Sequence, residues 1–202
     1  MLTAAGQHRD GKRVNSDKNN GTFSLHWDQK ASESAEYEIN GRYYLSEHGS
    51  SGPIDNPTPD ARQQYQKGSL DTRIKGFLGE AGDYSLNLYG DVVCLEDKSQ
   101  SGFTSTLDDL KYGVKGETNW AEANDLWALR LTGELNQEDA DHTVTGEHRR
   151  TVAGIGSQLD RTFGDLTATV GVRGDHASDF GFNPGCSAGL SYGLTKKLLL
   201  KA

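Results

Sequence analysis

The chain has 202 residues, about the size of one or two ordinary domains. Its 29 acidic and 21 basic residues give a formal net charge of −8, which argues against a nucleic-acid partner because phosphates would be repelled over most of the surface. A mean hydropathy of −0.70 excludes a membrane-spanning helix but not strands that cross a membrane with one apolar face.

The dominant pattern along the chain is an alternation of apolar and polar residues with a period of two, which is typical of strands with one apolar face. Runs of this kind occupy residues 22–28, 36–45, 70–78, 84–92, 110–120, 127–136, 153–163, 166–175 and 186–195, and a tenth begins at Leu198. Arg161 is the only charged residue in the apolar registers. The pattern predicts an all-β fold, an antiparallel up-and-down meander of about ten strands.

Short and long connections alternate between these runs. The segments 29–34, 80–83, 121–125, 164–165 and 195–197 are short. The segments 46–68, 96–106, 137–149 and 176–183 are longer and richer in Gly, Asp and Ser. This asymmetry is typical of a transmembrane β-barrel, which has tight turns at one end and long loops at the other.

Aromatic residues support the same interpretation. Trp27, Trp120, Trp127 and Phe163 lie in the apolar register beside predicted short turns, where a headgroup-level girdle would place them. Most runs are about ten residues long, which is what a tilted strand needs to cross the hydrocarbon. A soluble antiparallel sheet with one face in a protein core would also explain the alternation. It would not explain the loop asymmetry or the position of the tryptophans.

Two segments near the end of the chain carry a family resemblance. Residues 170–184, VGVRGDHASDFGFNP, and residues 188–195, AGLSYGLT, resemble the TonB-dependent outer-membrane receptors. These receptors commonly have a strand ending in Gly-x-Arg-Tyr-Asp, an acidic loop, Asn-Pro and a Gly-Leu-x-Tyr strand. Here Gly174 replaces the usual aromatic residue, and Gly185 follows Asn-Pro. The long loop within 49–62 is also similar to an extracellular loop of this family.

The resemblance implies a function and a set of partners. Residues 1–202 would be a partial receptor β-barrel domain without a plug domain or a signal peptide, located in the bacterial outer membrane. Its partners would be outer-membrane lipid, the TonB complex through a plug absent from this chain, and a small nutrient ligand such as a ferric siderophore or a cobalamin-type complex. The alternatives are a passive porin-like or adhesin barrel, or a soluble β-rich binding protein.

No residue is assigned a catalytic, cofactor-binding or metal-binding role, and the substrate-binding residues stay unassigned. The chain lacks a nucleophile elbow, and Gly154-Ile155-Gly156 lacks the third glycine of a dinucleotide fingerprint. The resemblance therefore implies a protein that is not an enzyme and needs no cofactor. The polar register predicts a wet, mixed-charge barrel wall at Arg73, Lys75, Arg130, Glu134, Arg173 and Asp175.

Three weaker features each have a simpler explanation than a site. The segment 138–142 combines three carboxylates with an imidazole in a predicted long loop, but its spacing matches no EF-hand, so a solvated acidic loop is the simpler expectation. Asn20-Gly21 is expected to form a turn before the first strand. Cys94 and Cys186 both fall in the apolar register, which favours lipid-facing thiols over a disulfide.

Overall fold

The computed structural model describes residues 1–122, 126–195 and 198–201. These residues form one sheet whose strands follow the chain order, each hydrogen-bonded to its neighbours in sequence, and every pair is antiparallel. The strands are β1 Leu2–Arg9, β2 Lys18–Ser32, β3 Ala35–Gly49, β4 Arg62–Phe77, β5 Gly82–Lys98, β6 Thr104–Ala121, β7 Trp127–His142, β8 Gly146–Phe163, β9 Leu166–Ala177, β10 Gly181–Thr195 and β11 Leu198–Lys201. The predicted all-β meander is confirmed. No helix within the described ranges is long and apolar enough to cross a membrane.

The number of strands is eleven rather than ten, because β1 was not predicted. Its sequence, LTAAGQHR, has small and polar residues where the other strands have large apolar ones. Its position is fixed by pairing with β2 from Leu2 opposite Leu25 to Arg9 opposite Lys18. The turn predicted at Asn20-Gly21 is therefore wrong, since both residues lie inside β2 and pair with β1 and β3.

The strands are longer than the apolar alternation indicates. β5 to β8 contain 17, 18, 16 and 18 residues, whereas roughly ten suffice to cross a bilayer. The predicted long loops 96–106, 137–149 and 176–183 shrink to 99–103, 143–145 and 178–180, and the predicted loop 46–68 narrows to 50–61. Backbone pairing continues past the point where the side chains stop alternating, because the ladder does not require apolar residues.

The predicted short connections lie at the other end of the sheet. Two residues join β2 to β3, and two join β8 to β9, where Gly164 has a φ of 63°. The predicted connections 121–125 and 195–197 fall partly outside the described residues. Long connections survive at 10–17 and 50–61, so the asymmetry between the two ends holds for β1 to β4. It does not hold for β7 to β10, where the connections predicted to be long, 143–145 and 178–180, have three residues each.

Candidate functional site

The sheet has one apolar and one polar face, and the strand registers align them across all the strands. Residues that pair across antiparallel strands point to the same side of the sheet. One row on the apolar face contains Leu25, Gly41, Leu70, Gly90 and Tyr112. The adjacent row on the polar face contains Arg42, Ser69, Asp91 and Lys111. The nine registers predicted from the alternation therefore combine into a single apolar surface.

This apolar surface is not covered by the chain. The side chains of Leu70, Ile155 and Val170 are 54%, 74% and 57% exposed. Within the described residues the only buried apolar side chains are Ala61 and Ala177. A soluble antiparallel sheet would bury such a face against a second layer, and the described strands form one sheet. The hypothesis that this face lies in the chain's own protein core is therefore contradicted.

Aromatic residues flank the tight turns on the apolar face. Trp120 is next to the last residue of β6, Trp127 begins β7 and Phe163 ends β8. Trp27 lies further from its turn, five residues before the end of β2. The guanidinium of Arg161 sits 5.6 Å from the centre of the Phe163 ring. The one charged residue of the apolar register thus lies at the edge of the apolar band, where its head group can reach water.

The six charged residues predicted to line the wall all lie on the polar face, and each forms an ion pair there. Lys75 Nζ is 3.6 Å from Glu38 of β3, and Arg73 Nη1 is 4.0 Å from the same carboxylate. Arg130 Nε is 3.6 Å from Glu117 of β6. These partly exposed pairs contribute little to stability individually. Together they make a hydrated surface of mixed charge, as predicted.

Glu134 is the hub of this polar face. Its Oε1 accepts hydrogen bonds from the Tyr89 hydroxyl at 3.1 Å and from Asn136 Nδ2 at 3.3 Å, and its Oε2 is 3.6 Å from Arg173 Nη2. Tyr89 lies on β5 and Arg173 on β9, so each side chain crosses a whole strand to reach Glu134 on β7. Arg173 Nη2 is also 2.7 Å from Asp175 Oδ1.

Glycines on the crossed strands make these contacts possible. A Cβ at Gly113 of β6 would lie 2.8 Å from the Tyr89 ring, and a Cβ at Gly154 of β8 would lie 2.7 Å from Arg173 Nη2. Any other residue at either position would displace the crossing side chain. The alternation of apolar and polar residues does not single out Tyr89, Gly113 or Gly154 as members of such a network. The sequence feature that could have indicated these contacts is a glycine in the polar register of a strand whose two neighbours carry long polar side chains.

The polar face also contains a cleft of about 410 Å³ between Arg130 and Arg173. Its floor is made of residues with small or no side chains, including Gly156, Gly171 and Ser187. Two guanidinium groups beside an uncovered backbone can donate hydrogen bonds to carboxylates or carbonyls. The cleft is therefore suited to hold a polar segment or ligand against the wall.

The longest loops, at the end opposite the tight turns, are bound to one another. Asn15, which has a φ of 55°, donates from Nδ2 to the carbonyl oxygens of Thr58 at 2.7 Å and Ala61 at 2.5 Å. Asp60 and Gln100 exchange two hydrogen bonds of 2.8 Å between loops 50–61 and 99–103. These bonds join three connections into one ordered rim.

Arg62 holds the base of this rim. Its Nη2 is 3.0 Å from Asp17 Oδ2, and its Nε donates to Glu47 Oε1 at 2.8 Å. The hydrogen bond from Arg62 lowers the pKa of the Asp17 carboxyl below its ordinary value, against a smaller opposing effect of burial. Asp17 is therefore charged at neutral pH and fixes loop 10–17 to the start of β4.

The segment 138–142 is not a loop, so that prediction is wrong. All five residues lie in β7, whose ladder extends to His142. Alternation sends Asp139 and Asp141 to one face and Glu138 to the other, so the carboxylates cannot converge on one ion. No group of metal-ligating side chains occurs among the residues that the structure describes. Cys94 and Cys186 are free thiols on β5 and β10.

Comparisons with known proteins give structural matches alone. No protein-family model and no curated protein matches the chain. The ferric enterobactin receptor PfeA of Pseudomonas aeruginosa matches with a TM-score of 0.68 and 15% identity, covering 96% of this chain and 34% of the receptor. The siderophore receptor PirA of the same organism matches with a TM-score of 0.65 and 14% identity, covering 99% of this chain and 41% of its own. The ferric citrate transporter FecA gives 0.68 and 14%, covering 99% and 37%.

These matches cover nearly the whole of this chain but between 34% and 41% of the three solved chains. At 14–15% identity they establish the fold. The chain therefore has the fold of part of the barrel wall of the TonB-dependent outer-membrane receptors, which confirms at the level of the fold the resemblance carried by residues 170–195.

Proposed function

We propose that residues 1–202 are part of the barrel of an outer-membrane receptor that imports a scarce nutrient, such as a ferric siderophore, with energy supplied through TonB. The observation that carries the proposal is the two-faced sheet. Its apolar face is exposed, and its polar face carries a connected network. Similarity in fold to receptors for ferric enterobactin and other siderophores supports this class of substrate.

The proposal assigns a role to each face. The apolar face contacts lipid hydrocarbon, and the aromatic residues beside the tight turns lie at the headgroup level. The polar face, with Glu134 and the cleft between Arg130 and Arg173, lines the lumen and contacts the plug domain of the complete receptor. The bound loops 10–17, 50–61 and 99–103 form part of the outer rim, where the nutrient enters.

An uptake experiment tests the proposal. The uptake of radiolabelled ferric siderophores is measured in iron-starved cells that carry or lack the gene for the intact product. Each measurement is made with and without a protonophore. We expect uptake that requires the gene and that the protonophore abolishes. Gene-dependent uptake that is insensitive to the protonophore would instead indicate the passive porin-like alternative. Uptake unchanged by deletion of the gene for every ferric complex tested would contradict the proposal.

A further inference from the structure

The apolar face is interrupted by a groove of about 1090 Å³. Its walls are almost entirely carbon and come from the six strands β5 to β10 and a tight turn. The residues that form the walls are Leu86, Trp120, Leu131, Ile155, Val172 and Phe182. Its volume is slightly above the range for small-molecule pockets, roughly 300–1,000 Å³. The groove is thus large enough for a ligand.

The floor of the groove is a pair of facing glycines, Gly116 of β6 and Gly133 of β7. A Cβ at Gly133 would have no atom within 4 Å, and one at Gly116 would meet only Leu86 at 3.9 Å. Two other strand glycines on this face are each covered by a neighbouring ring. Trp120 lies over Gly82 and Phe182 lies over Gly174. The glycine pair therefore leaves a gap in the side-chain layer that the protein does not fill.

One polar atom beside this apolar groove is buried without a partner in the part of the chain that the structure describes. The Thr118 hydroxyl is buried and has no hydrogen-bond partner among the described residues. Thr118 is one pleat above Trp120, near the tight-turn end of the sheet. A buried hydroxyl without a partner costs free energy. A ligand that places an acceptor oxygen beside Thr118 removes that cost.

We propose that the groove binds one acyl chain of an ester-linked membrane lipid. The ester carbonyl lies at Thr118 beside the Trp120 ring, and the chain runs over Gly116 and Gly133 towards Phe182. Through the strand registers, Phe182 of β10 is level with a position on β6 that is four residues from Thr118. Four residues span roughly 13 Å along a strand, and this is the length over which the chain would contact the groove. The inference rests on the proposed location in a lipid bilayer, since the groove is continuous with the exposed apolar face.

Native mass spectrometry of the intact gene product tests this inference. The protein is exposed in detergent to a synthetic diacyl phosphatidylcholine and is then released from the detergent in the mass spectrometer. We expect one retained lipid on the wild type. The double variant Gly116→Val/Gly133→Leu, which fills the groove, should retain about tenfold less. The matched control Gly90→Leu adds the same side chain to the same face outside the groove and should retain lipid as the wild type does.

Tryptophan quenching separates failure of the groove from failure of the membrane location. For this experiment, Trp120 is kept as the only tryptophan of the gene product, and the protein is placed in vesicles that contain brominated phosphatidylcholine. The groove itself is left unaltered. Strong quenching of Trp120 without any retained lipid would overturn the groove inference and leave the proposed function standing. Absence of quenching would contradict both. A retained mass equal to a second copy of the chain would show that protein covers the groove and would overturn the inference.

Discussion

Two side chains of the polar face reach across an intervening strand, and in both cases that strand carries glycine at the crossing point. Tyr89 and Arg173 both reach Glu134, one over Gly113 and the other over Gly154. In a sheet, a side chain ordinarily contacts the strand beside it, because the next strand but one is nearly 10 Å away. The two glycines thus allow separate polar side chains to form one network on the polar face.

Gly113→Ala is expected to destabilise the fold. The new Cβ would lie 2.7 Å from Asn136 Cβ and 2.8 Å from the Leu135 carbonyl oxygen, and it would push the Tyr89 ring off Glu134. We expect a loss of about 1–3 kcal/mol in the free energy of unfolding, measured by urea titration of the intact product in vesicles. Gly90→Ala is the matched control, because its Cβ meets only the Lys111 carbonyl oxygen at 3.8 Å, and should leave stability unchanged or raise it by up to about 1 kcal/mol. Equal losses in both variants would contradict the account.

The Asp17–Arg62 pair predicts an acid-sensitive loop. Because the folded pKa of Asp17 is lowered, the bridge stabilises loop 10–17 fully above the carboxyl's unfolded pKa. That contribution is lost as the pH falls through the lower, folded pKa. Proteolysis of the loop by an acid-active protease should therefore increase in that window. In the Asp17→Asn variant the loop should be cleaved faster than in the wild type already at neutral pH, as measured with a protease active there. If the loop of the variant is cleaved no faster than that of the wild type, the Asp17–Arg62 pair does not hold the loop.

At the scale of elements, the period-two alternation predicted which residues share a face, and the hydrogen-bonded registers confirm it for nine strands. The ends of the strands could not be predicted, because β5 to β8 continue into polar sequence where pairing no longer needs apolar side chains. β1 was missed for the same reason. Its residues are small or polar, and its position depends on contacts with β2 that lie outside its own sequence. The hub at Glu134 was also inaccessible, since it depends on residues two strands apart.

Charge substitutions on adjacent residues of β4 test the assignment of the two faces. Leu70 and Ser69 are neighbours in sequence but point to opposite sides of the sheet. We expect Leu70→Lys to cost about 2–4 kcal/mol in vesicles, because the ammonium enters the hydrocarbon. Ser69→Lys, opposite Asp91, should cost close to nothing. Urea unfolding of the two variants measures the difference, and a small cost at Leu70, which is 54% exposed, would show that this face meets water.

At the scale of the whole molecule, the sheet has two free edges. Within the described residues, β1 and β11 each pair on one side. Eleven antiparallel strands leave both edges running in the same direction. An all-antiparallel barrel therefore needs an odd number of further strands to close. Unpaired edge groups in lipid cost several kcal/mol each, so we propose that these residues complete a barrel only together with additional chain.

This proposal predicts different behaviour for the piece and for the intact product. Residues 1–202 expressed alone and refolded into vesicles should run on an unheated denaturing gel at the same position as the boiled sample, because the open edges prevent a stable barrel. The intact product should migrate as a compact species until it is heated. A heat-sensitive compact band from residues 1–202 alone would show that the sheet closes by itself or with copies of itself.

The central claim is that the apolar face contacts hydrocarbon tails, and labelling from within the bilayer tests it most directly. A photoactivated carbene probe dissolved in the lipid reacts with whatever side chains it touches, and mass spectrometry locates the labelled residues. The account predicts labelling with a period of two along each strand, at Leu70, Leu88 and Val170 but not at Ser69, Asn87 or Thr169. Labelling of both sets alike, or of neither, would contradict it.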